Sequence, residues 1–301
     1  MISIIICSVN QKHLDQISQN ISQTIGVEYE LLAIDNSKNP KGITSIYNEG
    51  AKRAKYEYLC FVHEDVLFET MNWGEKVSQI LRNKSIGLVG IAGSVYKSLA
   101  PSGWYLYELN YPAKAFQKIR QAYKFQDRPA RLVDYNPSKK KLNEVICIDG
   151  VWFCTTKSVI NDIPFDESFD GFHGYDVDFS LAVAQKYKVM VTFDVLLTHF
   201  SEGRFDRKWL DATLKVQEKW NHCLPFYLSD VPKNLIYKTE KGAFKKSIKQ
   251  MLDWGYSFGE IKTMLDNARK SPFMKNKLFF KLYFYLIKKR LFYSLTYNRT
   301  P

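Results

Sequence analysis

The sequence predicts an α/β protein: a mostly parallel central sheet flanked by helices, followed by a basic helical C-terminal region. Three observations carry this prediction. Apolar, β-branched runs alternate with helix-spaced segments through the first third of the chain, the pattern of strands joined by crossover helices. Polar and ionisable residues stand at the ends of those runs rather than inside them. The alternation stops after Pro232, beyond which the chain reads as helical and rich in lysine.

Residues 2–9 are one continuous apolar run, as expected of a strand buried on both faces. Residues 11–24 are polar with Leu14, Ile17 and Ile21 at helical spacing. A second buried strand spans 29–34 and is closed by the turn signal Asp35-Asn36-Ser37. Ile43, Ile46, Tyr47 and Ala51 give 43–54 a helical face; 58–62 is a third strand, 72–82 a helix and 86–91 a strand. Residues 94–144 break the rhythm and carry Trp104, Tyr105, Tyr107 and Tyr111. They read either as a surface excursion, with a short helix at 113–123, or as a functional flap or loop, because long loops in compact domains are often functional. Residues 145–155 read as a strand containing Asp149-Gly150; a helix follows to about Lys186, then a strand at 189–193 and a helix at 208–220. The expected division is 1–232 for a catalytic domain and 233–301 for the basic helical region.

Composition narrows the function classes. The 301 residues are 46% hydrophobic and 25% charged, ordinary for a globular chain with ample core. The net charge of +12 is uneven: residues 241–301 hold 14 Lys/Arg against 3 Asp/Glu, a net of +11, and residues 1–240 have a net of +1. A nearly neutral body argues against nucleic acid as partner, and a basic tail argues for an anionic partner of its own. The five cysteines form no C-x-x-C pair, which predicts reduced thiols in a cytoplasmic protein. The apolar start lacks a basic n-region, and no run reaches the roughly 18 apolar residues of a spanning helix. Both G-x-G-x-x-G and the P-loop pattern are absent.

The most telling stretch is Phe61-Val62-His63-Glu64-Asp65-Val66, where an apolar run ends abruptly in three ionisable groups. Burying them unpaired is costly, so they belong where the strand emerges into a cleft. An imidazole and two carboxylates there suit a divalent cation or a sugar phosphate; the alternative is a solvated acidic turn. Ligands of parallel sheets lie beyond the carboxyl ends of the strands, where Ser8, Asp35 and His63-Glu64-Asp65 all fall. A second cluster, Gly171-Phe172-His173-Gly174-Tyr175-Asp176-Val177-Asp178, opens a helix. Asp176 lies in its first turn, where the helix dipole favours a carboxylate, and capping by Asp176 or Asp178 is the plainer reading. The third element is His199-Phe200-Ser201-Glu202-Gly203-Arg204, a histidine just past a strand that serves either structure or ligation.

In this order, the strand ending Cys7-Ser8-Val9-Asn10, the strand ending Ile34-Asp35-Asn36-Ser37, Asn48-Glu49-Gly50-Ala51, the Phe61–Val66 stretch, Asp149-Gly150, Phe165-Asp166-Glu167, Gly174-Tyr175-Asp176-Val177-Asp178 and His199 with Ser201 and Gly203 resemble the GT-A glycosyltransferases of family 2. The nearest branch is the glycosyltransferase-like one with His-x-Asp-Val in place of D-x-D. The resemblance covers roughly residues 1–205. It implies a Rossmann-like GT-A domain and an inverting transfer of a sugar, hexosyl or N-acetylhexosaminyl, from a nucleotide sugar, UDP-linked by family frequency, to a hydroxyl of a glycan or lipid-linked acceptor in polysaccharide or cell-envelope synthesis. It implies that Asp35 contacts the base or ribose with Ser8 nearby, that Asp65 binds the Mn²⁺ or Mg²⁺ bridging the diphosphate, with Glu64 close to the ribose or sugar, and that Asp149 and Gly150 border the donor sugar. Asp176 becomes the general base and His199 a further metal ligand. The departure is His63, where the first Asp of D-x-D stands: a neutral imidazole ligates Mn²⁺ but adds no negative charge. Arg204 is placed to supply positive charge to the leaving diphosphate.

Two other readings of the fold are a nucleotidyltransferase and a non-catalytic nucleotide-sugar-binding protein. The first expects a Gly-rich loop after the first strand, where this chain has Ser8-Val9-Asn10-Gln11; the second expects loss of Asp65 or Asp176, and both are present. In the tail, residues 278–292 are dense in aromatics and bases, and a helix there places Lys277, Lys281 and Lys288 on one side. Such a helix either lies on an anionic membrane surface, making the protein peripheral on the inner face of the cell membrane, or packs on the domain.

Overall fold

The structure, a computed structural model, describes residues 1–203 and 205–297. In chain order the elements are β1 (Ile2–Ser8), α1 (Gln11–Thr24), β2 (Tyr29–Asp35), α2 (Ile43–Arg53), β3 (Tyr58–Val62), β4 (Val66–Phe68), α3 (Trp73–Leu81), β5 (Ile86–Gly90), β6 (Ala92–Ser94), β7 (Tyr96–Lys97), β8 (Ala115–Gln121), β9 (Arg131–Tyr135), β10 (Leu142–Val145), β11 (Cys147–Ile148), β12 (Trp152–Thr156), α4 (Lys157–Asp162), α5 (Tyr175–Ala184), β13 (Lys188–Thr192), β14 (Leu197–His199), α6 (Arg207–Trp220), β15 (Phe226–Tyr227), α7 (Lys233–Asp253), α8 (Phe258–Ala268) and α9 (Asn276–Tyr297). They form two compact units, one of residues 1–95 and 115–204, the other of residues 96–114 and 205–301. Residue 232, where the sequence places its boundary, lies inside the second unit.

The first unit is built on a sheet of order β10-β13-β5-β12-β3-β1-β2. β2, β1 and β3 are parallel neighbours, β5 and β13 run the same way, and β12 and β10 are antiparallel. The inner strands are buried on both faces because helices cover both, whereas β2, expected as a buried strand, lies at the sheet edge and is mostly half-buried. On one face Ile2, Ile4, Ile6, Cys60 and Val62 pack with Ile17 and Ile21 of α1 and with Trp73 and Val77 of α3. On the other, Phe61 and Phe153 stack at 5.2 Å among Tyr47, Phe165 and Phe179. Alternate residues of each strand thus meet two covered faces, which is why the runs look uniformly hydrophobic in sequence.

A second sheet, of order β11-β6-β8-β14-β4 with β9 beside β8, is made largely from the stretch that breaks the sequence rhythm. The helix expected at 113–123 is instead strand β8, which pairs with β6, β9 and β14. Tertiary pairing wins over local pattern here: the polar side chains of β8 are claimed by partners, Arg120 by Glu69 at 2.7 and 3.0 Å and Lys118 by the Phe193 carbonyl at 2.7 Å. The single strand expected over 145–155 is cut in two by a turn in which the Asp149 carboxylate accepts from the Val151 amide at 2.9 Å.

In the second unit β7 and β15 form a two-stranded sheet beside α6 to α9. Its core includes Phe244, Ile248 and Met251 of α7 and Leu278, Leu282 and Leu286 of α9, all at 1% exposure or less. It also buries Glu240, which accepts from the Tyr96 hydroxyl at 2.6 Å and the Leu99 amide at 3.1 Å. Removal from water raises the Glu240 pKa to about 7. The apolar side of the C-terminal helix is therefore spent on packing within this unit. No helix among the described residues is long and apolar enough to cross a membrane.

Candidate active site

The described site residues named from the sequence fall on strand tips, in the turn between β11 and β12, and at one helix start of the first unit. β3 ends at Val62, and the backbone of His63 is held by its amide donating to the Val151 carbonyl at 3.1 Å. Asp65 precedes β4, and the antiparallel register of β4 with β14 sets His199 opposite Val66. The Phe200 amide donates to the Asp65 carbonyl at 3.0 Å, closing the ladder. As a result His63, Asp65 and His199, 136 positions apart at the extremes, present ligand atoms that all lie within 4.8 Å of one another. Nε2 of His199 stands 3.6 Å from Oδ1 of Asp65. Burial lowers the His199 pKa, partly opposed by the Asp65 charge, which favours the neutral imidazole that ligates a cation.

Tyr175, the first residue of α5, links this cluster to the other half of the site. Its hydroxyl lies 2.9 Å from Nε2 of His63 and donates to the Gly150 carbonyl at 3.1 Å. Nε2 of His63 is thereby engaged by the Tyr175 hydroxyl, and Nδ1 is the ring nitrogen left over. The Gly150 amide in turn donates to Oδ2 of Asp176 at 3.1 Å. Gly150 thus meets Tyr175 through its carbonyl and Asp176 through its amide. A Cβ on residue 150 would stand 2.3 Å from the Tyr175 oxygen and 3.1 Å from the Asp176 Cβ, so only glycine permits this approach. Gly174, with φ of 78°, turns the chain into α5 just before Tyr175.

Asp176 lies in the first turn of α5, as expected, but it is not the N-cap, which is Gly174. Burial raises its pKa to about 7, and the charge of Asp149 adds to the rise, while the Gly150 amide opposes it. Asp178 is buried on the same helix.

The donor-side candidates divide. Asp35, at the end of β2, is exposed, and Ser37 holds it ionised through its hydroxyl at 2.6 Å and its amide at 2.9 Å, lowering the pKa. Ser8 and Glu64 instead bind each other. Oε2 of Glu64 accepts from the Ser8 hydroxyl at 2.8 Å and from the amides of Val9 and Asn10 at 3.1 Å each. Glu64 therefore acts as a clamp that fixes the loop after β1. Arg204 lies outside the described residues. The Asn48 and Phe165-Asp166-Glu167 motifs clasp one another: Asn48 donates to the Phe165 carbonyl and to Glu167, both at 2.9 Å, and accepts from the Phe165 amide at 3.0 Å. Their place is structural, holding α2 against the segment that leads to α5.

Two residues escaped the sequence reading. Tyr175 looked like part of an aromatic loop, and only its position between His63 and Gly150 reveals its place. Glu202 accepts from the Lys124 and Phe125 amides at 2.8 and 3.2 Å and so ties the loop after His199 to the segment after β8. No local pattern announces a contact across 78 positions.

This fold and this arrangement define a GT-A protein. Residues 3–221 match the glycosyltransferase-like family, and the chain belongs to it. Among solved structures, GalNAc-T7 with UDP, GalNAc and Mn²⁺ is similar at a TM-score of 0.51 and 11% identity, over 89% of this chain and 55% of that one. This chain thus spans little more than half of that protein. A197 from STIV is a looser likeness, with a TM-score of 0.36 and 15% identity over 67% of this chain and 86% of that one. No curated protein matches the chain in sequence.

Proposed function

We propose that this protein is an inverting glycosyltransferase that moves a sugar, of hexosyl or N-acetylhexosaminyl type, from a UDP-linked donor to a hydroxyl of a glycan or lipid-linked acceptor. The observation that carries the reading is the joint placement of a possible cation cluster, His63, Asp65 and His199, and a raised-pKa carboxylate, Asp176, on either side of Gly150. A UDP donor is the choice because the family resemblance favours it and because the GalNAc-T7 structure holds UDP.

The donor set fits a divalent cation. Two imidazoles and one carboxylate suit Mn²⁺ better than Mg²⁺, which prefers oxygen ligands. Asp65 supplies the negative charge, His199 a neutral nitrogen, and His63 the nitrogen that Tyr175 leaves free. Bound there, a cation offsets the charge that develops on the leaving diphosphate. The rest of the chemistry falls to the chain. Asp35 accepts hydrogen bonds from the nucleoside, and the Glu64 clamp keeps the loop after β1 in place to receive it. Asp149 and Gly150 border the sugar. The acceptor oxygen attacks the anomeric carbon as the bond to the diphosphate oxygen breaks, and Asp176 takes the hydroxyl proton. A carboxylate with a pKa near 7 is matched to that task, since a base works best when its pKa lies near the operating pH.

The test is UDP release from UDP-sugars with Mn²⁺ and candidate acceptors. Asp176→Asn should retain UDP binding and lower turnover by about 10²–10⁴-fold. Near-normal turnover in that variant would reassign the base to Asp149 or Asp178.

A further inference from the structure

The second unit carries a surface that includes none of the candidate site residues. α9 contains Lys277, Lys281, Lys288, Lys289 and Arg290 and no acidic residue. At about 100° per residue its buried side chains, Leu278, Leu282, Leu286 and Phe279, fall on one arc. The opposite arc, also about 100° wide, holds Phe280, Phe284 and Leu291 on one flank and Lys277, Lys281 and Lys288 on the other. Phe280 is 51% exposed, Phe284 65% and Leu291 60%, unusual for large apolar side chains aligned along one helix. The side chains of 292 and 293, the end of the aromatic segment, lie outside the described residues. The stripe continues onto α7, where Lys281 reaches within 6.0 Å of the exposed Tyr237 ring.

The sequence reading set the lysines of this helix against its apolar side, and that side is consumed in the core. What remains outward is itself amphipathic: a row of aromatics and a leucine beside a row of lysines. We infer that this face of α9 lies on an anionic lipid surface, with Phe280 and Phe284 dipping into the headgroup–acyl boundary and the lysines reaching lipid phosphates. Charge complementarity selects this occupant, because residues 241–301 carry a net +11 while residues 1–240 carry +1. Lysine stems can lie along the apolar row while their ammonium groups stay at the polar level. A polyanion without an apolar phase satisfies the lysines and leaves the phenylalanines in water. The inference stands on the second unit alone and holds whichever donor the first unit takes.

The experiment is co-sedimentation of the full chain with vesicles of phosphatidylcholine alone and of phosphatidylcholine with phosphatidylglycerol. Binding is expected to the anionic vesicles at low salt, falling at high salt, with little binding to the neutral ones. Lys277→Gln with Lys281→Gln should weaken partitioning about 25-fold, from about fivefold per lysine. Phe280→Ser with Phe284→Ser should weaken it at least about tenfold. Both pairs should keep the wild-type melting temperature, since the side chains are exposed. Absence of binding by the full chain overturns the inference. So does binding that the phenylalanine pair leaves intact, which would mark a purely electrostatic contact. A phenylalanine pair that converts a dimer to a monomer while vesicle binding persists would assign the face to a second copy and equally overturn it.

Discussion

Replacing Tyr175 by Phe removes one oxygen and nothing else, and the structure says what that oxygen does. It donates to the Gly150 carbonyl at 3.1 Å and faces Nε2 of His63 at 2.9 Å, with Tyr175 itself 3% exposed. Two buried or half-buried polar groups lose their partner, which costs about 1–3 kcal/mol. For a unit of this size each kcal/mol lowers the melting temperature by about 2–4 °C, so a fall of roughly 2–12 °C is expected. The second consequence is specific to the site. Without the hydroxyl the His63 ring loses the partner that orients it, and loss of such a support lowers metal affinity about 10–100-fold. Mn²⁺ binding followed by electron paramagnetic resonance measures this directly, with Tyr56→Phe, whose hydroxyl donates to Glu28 and to none of the site residues, as control. Wild-type Mn²⁺ affinity in Tyr175→Phe, alongside the expected loss of stability, would show that Tyr175 only packs and that His63 is not steered by it.

Gly150→Ala should be worse than its size suggests: the new methyl meets the Tyr175 oxygen at 2.3 Å, forcing a shift that costs about 1–3 kcal/mol and displaces Asp176, with turnover falling about 10²-fold or more while UDP affinity changes less. Asp176 also predicts a pH dependence of stability. Its folded pKa, about 7, lies above the unfolded value of 3.8, so its contribution is fully present below about pH 4 and is lost as pH rises through 7, up to about 4 kcal/mol in all. In EDTA, Asp176→Asn should match the wild type near pH 4 and become the more stable protein by pH 8, as read by urea unfolding; parallel curves would contradict the buried-carboxyl account. A chain cut after Tyr237 loses Phe244, Ile248, Leu278, Leu282 and Leu286 from the second core, and should bind a hydrophobic dye strongly and lose part of its unfolding transition. An unchanged transition without dye binding would show that the second unit needs neither α7 nor α9.

What the sequence makes legible is local and periodic. β1, α1, α2 and β3 each bury their own regular pattern, so hydrophobic period alone locates them, whereas β2, at the sheet edge, buries only Ile34 of its run. The tips Ser8, Asp35 and His63-Glu64-Asp65 follow from that, because ends of parallel strands are where polar residues can converge. The second sheet is not legible for the opposite reason. β8 carries Gln117, Lys118, Arg120 and Gln121 among three buried residues, and what makes it a strand is pairing with β6, β9 and β14 from distant parts of the chain. The same limit applied to the site. His199 was a candidate from its position past a strand, but its meeting with Asp65 depends on β14 pairing with β4, a three-residue strand with no period to read. Glu64, read from the sequence as a carboxylate close to the ribose or sugar, is bonded in the structure to Ser8 and the loop after β1, contacts across more than 50 positions that no local pattern announces. Tyr175 and Gly150 are meaningful only as a pair, and their 25-residue separation hides that.

The central claim is a nucleoside diphosphate held through a cation at His63, Asp65 and His199. Calorimetric titration of UDP into the full chain, with Mn²⁺ and with EDTA, tests it most directly, using wild type and Asp65→Asn side by side. The account predicts UDP binding that Mn²⁺ strengthens markedly in the wild type and barely changes in Asp65→Asn, while the EDTA titrations of the two coincide. A Mn²⁺ enhancement of equal size in Asp65→Asn, or no binding of UDP by the wild type under either condition, would contradict it.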